Sequence, residues 1–154
     1  MDEPTFDVDA SHRYFSVHCF NQAWVLLDKS EGTPEEDEQM IRLSLTSHWH
    51  WTQREDCTPN NVSAAYWQTS RIYAVLGQAG NARRYARLCL EASQRDDVAP
   101  FYLAYAYEAL ARAELVADNP RRMASCLDQA RRIADTVPDE ETRQWLLDDL
   151  SAIA

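Results

Sequence analysis

Proline punctuates this chain where helices can begin. Thr33-Pro34-Glu35-Glu36 offers a capping threonine, a proline at the first helical position and a glutamate three residues after the cap. Thr58-Pro59 and Asn119-Pro120 repeat the polar-then-proline signal, and Pro100 and Pro138 open two further segments. A proline costs nothing there, because the N–H it lacks is one the first helical turn leaves unbonded. Between these marks apolar residues recur at helical spacing, without the alternation of a strand. Gly77 and Gly80 bracket a short turn. The pattern predicts an all-α chain with helices at roughly 9–30, 34–53, 59–77, 80–95, 100–118, 120–136 and 138–152. Short linkers favour antiparallel neighbours, giving hairpins at about 9–53, 59–95 and 100–136 and a closing helix at about 138–152. A length of 154 residues suits a single domain with one real core.

Charge and composition narrow the function classes. The formal net charge is −10, so nucleic acid and anionic membrane surfaces are not expected as partners. No apolar run reaches the length of a membrane span. The opening stretch MDEPTFDVDA is acidic and carries no secretory signal pattern. Cys19, Cys57, Cys89 and Cys126 are widely spaced and form no C-x-x-C, so zinc and dithiol motifs are not expected. Buried thiols in a reducing cytoplasm fit this spacing. There is no G-x-S-x-G, P-loop or G-x-G-x-x-G, so no cofactor and no catalytic residue is assigned. The acidic runs at residues 35–38 and 139–141 fall at helix starts, where the helix dipole favours negative charge.

The segment AAYWQTSRIYAVLGQAGNARRYARLCLEAS, residues 64–93, resembles a tetratricopeptide repeat without a gap. Tyr66 stands at an aromatic position, Ser70 at the small residue of the first helix and Tyr73 at the motif tyrosine. Gly77 falls at the turn, Ala82 opens the second helix and Cys89-Leu90 closes it. Such small residues let two helices approach closely, and the aromatics fill the holes beside them. The next hairpin, YEALARAELVADNPRRMASCLDQARRIAD, resembles the repeat less closely, with Glu114 at the aromatic position and Met123 at the small one. The two are offset by about 41 residues rather than the usual 34. The resemblance implies a short stack of hairpins, an α-solenoid, ending in a solvent-facing cap that carries Trp145, Leu146, Leu147 and Leu150.

It also implies a function: a non-enzymatic scaffold whose first helices line a concave surface for a protein or peptide. Carried over by position, Trp67, Arg71, Ala74 and Val75 line that surface in one hairpin, and Tyr105, Glu108, Arg112 and Leu115 in the next. Trp67 and Arg71 lie four residues apart on one helix face, an anchor pair of the kind that dominates interface energetics. The competing reading packs Trp67 against the first hairpin and leaves Arg71 in water. Arg83, Arg84 and Arg87 are expected to face outward.

The stretch SLTSHWHW, residues 44–51, raises a different function. His48 and His50 are roughly 200° apart on a helix and cannot share a metal. His48 reads as a core histidine beside Ile41, Ser44, Leu45 and Trp51, and His50 as exposed. His12 and His48 would meet across the first hairpin with Cys19 nearby. That trio is the alternative reading, a small helical metal-dependent enzyme or sensor. Surplus tryptophan and tyrosine leave homodimerisation open as well.

Overall fold

A computed structural model describes residues 5–153. The first four residues of the acidic N-terminal stretch lie outside them. The described chain is all-α, with seven helices: α1 (Val8–Leu27), α2 (Pro34–Thr52), α3 (Pro59–Val75), α4 (Ala79–Ser93), α5 (Pro100–Val116), α6 (Pro120–Ala134) and α7 (Glu140–Ser151). Each packs on the next from α1 to α7, and α3–α5 and α5–α7 contacts close the inner side. The result is a short helical solenoid of three hairpins and a seventh helix.

The helix starts follow the proline signals. Thr33 and Thr58 form capping boxes: each side chain accepts from the backbone N–H three residues on, and Glu36 or Asn61 reaches back to the cap N–H. Pro34, Pro59, Pro100 and Pro120 occupy first helical turns. Pro138 differs. Helix α7 begins at Glu140, because Asp139 supplies the cap by accepting from the Thr142 N–H, leaving Pro138 outside.

The offset of 41 is a structural period. Helix α3 spans 59–75 and α5 spans 100–116; α4 spans 79–93 and α6 spans 120–134, so all four boundaries repeat at 41 residues. Even the turns match. Beyond α3, Gly77 adopts φ +73°, with Gly77 N–H donating to the Ala74 carbonyl and Gln78 N–H to the Tyr73 carbonyl. Beyond α5, Asp118 adopts φ +53°, with Asp118 N–H donating to Leu115 and Asn119 N–H to Glu114. Both are Schellman closures. Glycine enters this left-handed conformation freely and aspartate does not. Asp118→Gly is therefore expected to raise stability by about 0.5 kcal/mol, the relief of strain exceeding the added freedom of the unfolded chain. A thermal melt checks it, and an unchanged or lower midpoint contradicts it.

Small residues set the helix spacing. Ala82, Ala86, Ala104, Ala106, Ala111, Ala113, Ala130 and Ala134 are wholly buried. Buried hydroxyls stitch the same contacts. The Ser70 hydroxyl donates to the Ala82 carbonyl at 2.9 Å, joining α3 to α4 at the two small positions singled out from the sequence. The hydroxyls of Ser44 and Thr69 lie 2.9 Å apart between α2 and α3, and Ser47 donates to the Ser16 carbonyl at 2.6 Å. Tyr73 stacks on Tyr85 at 5.6 Å, filling the hole beside these contacts.

At the far end, Leu127, Val137, Leu146, Leu150 and Ile153 form the largest apolar cluster. Helix α7 thus covers the exposed end of the last hairpin, as a capping helix must. Glu114 takes a buried place between hairpins. Arg83 reaches it with two hydrogen bonds of 2.7 Å. The outward expectation thus holds for Arg84 and Arg87, which are exposed, and fails for Arg83. A buried carboxylate needs a counter-charge, and Arg83 is placed to give it. Its hydrogen bonds hold the Glu114 carboxyl below the usual carboxylate range.

Candidate functional site

Four helices meet on the inner side of the stack around an apolar groove of about 500 Å³. Helix α1 contributes Phe20 and Trp24, α3 Ala64 and Trp67, α5 Phe101, Tyr102 and Tyr105, and α7 Trp145 and Asp149. The first helix of each hairpin supplies the wall, so its residues recur at helical spacing: 20 and 24, 64 and 67, 101 and 105, 145 and 149. Neighbouring rings touch. Trp67 lies between Trp24, at 5.4 Å, and the edge of Tyr105, at 5.5 Å. Phe101 meets Tyr105 at 4.9 Å.

Polar groups hold these rings in place. The Trp67 Nε1–H donates to Glu108 Oε2 at 2.8 Å. Glu108 is 0% exposed. Its other oxygen accepts from Arg112 Nε, and Arg71 lies 3.9 Å from that same oxygen. Burial pushes the Glu108 carboxyl up to about 7, while the Trp67 hydrogen bond and the Arg71 charge pull it down. The Tyr105 hydroxyl donates to Asp149 Oδ2 at 2.6 Å. Burial, then that hydrogen bond, holds the phenol far above its ordinary range. Gln68 Nε2 donates to the Phe20 carbonyl at 2.9 Å and ties α3 to α1.

Of the residues carried over from the resemblance, Trp67, Arg71, Tyr105, Glu108 and Arg112 come together, in different roles. Trp67 and Tyr105 line the groove. Trp67 is half-buried and packs against Trp24 of the first hairpin, as the packing reading expects. Glu108 lies beneath the surface, where Arg71 and Arg112 are its counter-charges. Val75 and Leu115 are exposed near the ends of their helices and do not line the groove. The reading of residues missed Phe20, Trp24, Phe101, Tyr102, Trp145 and Asp149. Phe20 and Trp24 look like core on a helical wheel of α1, and Trp145 looks like part of a solvent-facing cap. In the structure Leu146 and Leu150 face inward while Trp145 and Asp149 turn to the groove.

The histidines pair differently from the expectation. His12 meets His50, with their Nδ1 atoms 2.8 Å apart, and His48 packs edge-on against Tyr66 at 4.5 Å. His48 is turned about 100° from Ser47, which faces α1, so it addresses α3 instead. Cys19 is buried, and His50 is only partly exposed. The three residues of the metal reading therefore do not converge. Among the described residues no group of three or more His, Cys, Asp or Glu side chains is placed to hold a metal.

The His12–His50 contact admits one proton between the facing nitrogens, so full protonation of both rings breaks it. Burial lowers the pKa of His48, and burial followed by the His12 charge lowers that of His50. A lowered histidine pKa means that the unfolded chain takes up protons first. Stability from these groups is present above about pH 6.5 and is lost as pH falls below it. Urea midpoints are expected to drop between pH 7.5 and 5.5, and less steeply in His50→Gln. Equal slopes for the two proteins would contradict the pairing.

Compared with protein-family models, curated proteins and solved structures, the chain matches none. No helix among the described residues is long and apolar enough to cross a membrane.

Proposed function

We propose that this chain is a non-enzymatic scaffold of the tetratricopeptide-like type, holding a peptide segment of a protein partner in its inner groove. The observation that carries the reading is the aromatic groove itself, built by the first helices of all three hairpins together with α7. Its rings are held by hydrogen bonds to Glu108 and Asp149, so little side-chain freedom is lost when a ligand binds. Tryptophan and tyrosine in a concave setting give large contact area per residue. The four cysteines are unpaired, which supports a reducing cytoplasm as the setting. The net charge of −10 supports a protein rather than a nucleic acid as partner.

Selection of a random peptide library on the purified full chain tests the reading. Enriched peptides are expected to bind at least tenfold more weakly to Ala64→Trp, which fills the groove from α3. No enrichment, or binders indifferent to the filled groove, overturns the proposal.

A further inference from the structure

Asp149 sits on the groove wall with its Oδ2 bonded to the Tyr105 hydroxyl. Among the described residues no Arg, Lys or His forms an ion pair with it. Arg112 bonds Glu108, and Arg71 lies 3.9 Å from the same carboxylate; neither arginine lines the groove. Asp149 is thus the one charged side chain lining the groove, amid the aromatic walls of Trp24, Trp67, Phe101, Tyr105 and Trp145. Ring faces carry a negative quadrupole and attract cations, most strongly in tryptophan. The chain as a whole carries a net charge of −10.

We infer that the groove recognises a basic side chain, an arginine or lysine flanked by apolar residues, on the partner's peptide segment. The charge pairs with Asp149, the aliphatic stem lies along the indoles, and the apolar neighbours fill the rest of the groove. Charge complementarity commits the surface to this occupant. An acidic peptide meets Asp149, and no arginine or lysine lines the groove to offset it. A purely apolar one buries the Asp149 charge with only the Tyr105 hydroxyl as partner. A groove running across four helices suits a chain segment better than a free amine, which fills one corner of it.

The inference rests on the scaffold reading, and its test separates the two. The best binder from the library is resynthesised with its central basic residue kept, replaced by norleucine, and replaced by glutamate. Tryptophan fluorescence titrations follow each against the full chain and against Asp149→Asn, which retains an acceptor for the Tyr105 hydroxyl. Binders are expected to carry Arg or Lys. The norleucine form should bind about tenfold more weakly. Asp149→Asn should weaken the basic peptide to a similar degree and bind the norleucine peptide at least as tightly as the wild type does, because no charge is then buried. Its far-UV spectrum and melting point, matching the wild type, show that the fold persists. Groove binders without Arg or Lys, or an Asp149→Asn protein that binds the basic peptide normally, overturn the inference and leave the scaffold reading standing. Arginine amide binding as tightly as the peptide overturns the choice of a peptide. A library with no groove binder overturns both.

Discussion

Glu108→Ala is expected to lower the unfolding free energy by about 3 kcal/mol, read from urea denaturation followed by circular dichroism. The carboxylate is fully buried, accepts from two donors, Trp67 and Arg112, and lies 3.9 Å from Arg71. Its removal leaves a guanidinium, with only 16% of the Arg112 side chain exposed, facing a void. It also leaves the Trp67 N–H without a partner. Breaking one side of a buried ion pair costs more than the pair itself contributes, because the surviving charge cannot regain water. Arg71 is more exposed and recovers some hydration, which keeps the loss near the lower end of the usual range. Two further variants separate charge from shape. Glu108→Gln keeps an acceptor for the indole and is expected to cost less. Combining Glu108→Leu with Arg112→Leu removes both charges and should recover much of the loss. A single Ala variant as stable as the wild type would mean that Glu108 does not organise the site.

Trp67→Ala is the second large effect, also about 3 kcal/mol. A core tryptophan costs about 3–5 kcal/mol when cut to alanine. Trp67 is half-buried, which lowers the packing part, but it also carries the hydrogen bond to Glu108. Its ring contacts both Trp24 and Tyr105, so the wall between α1 and α5 loses its middle member. Peptide binding is expected to fall with stability. Trp67→Phe divides the two contributions: it keeps a ring in the wall and deletes the N–H, and should cost about 1–2 kcal/mol. Were Trp67→Ala to leave the urea midpoint unmoved, the ring would be only a surface anchor.

These two residues show how far sequence reasoning reaches. A resemblance at positions 64–93 placed Trp67 on the inner face, and the next hairpin placed Glu108 beside it in register. Both come together in the structure. That one of them is a buried acceptor was not legible, because burial depends on what the neighbouring hairpin lays over a helix face. Asp149 and Trp145 were invisible for the same reason. On a wheel of α7 they look like the polar side of a cap, and only the angle at which α7 crosses α5 turns them to the groove.

Local physics was written in the chain itself. Thr33-Pro34 and Thr58-Pro59 start helices because a hydroxyl can satisfy N–H groups that have no helical partner. Gly77 ends α3 because a left-handed residue closes its last carbonyls. Seven helices, their hairpin pairing and the offset of 41 follow from such short-range signals and were readable without coordinates. The tertiary structure decided the rest: that His12 meets His50 rather than His48, that Arg83 turns inward to Glu114, and that four helices share one groove. Each of these depends on the rotation and crossing angle of packed helices. Those angles are set by the sum of many small alanine and serine contacts, and no single residue in the sequence records that sum.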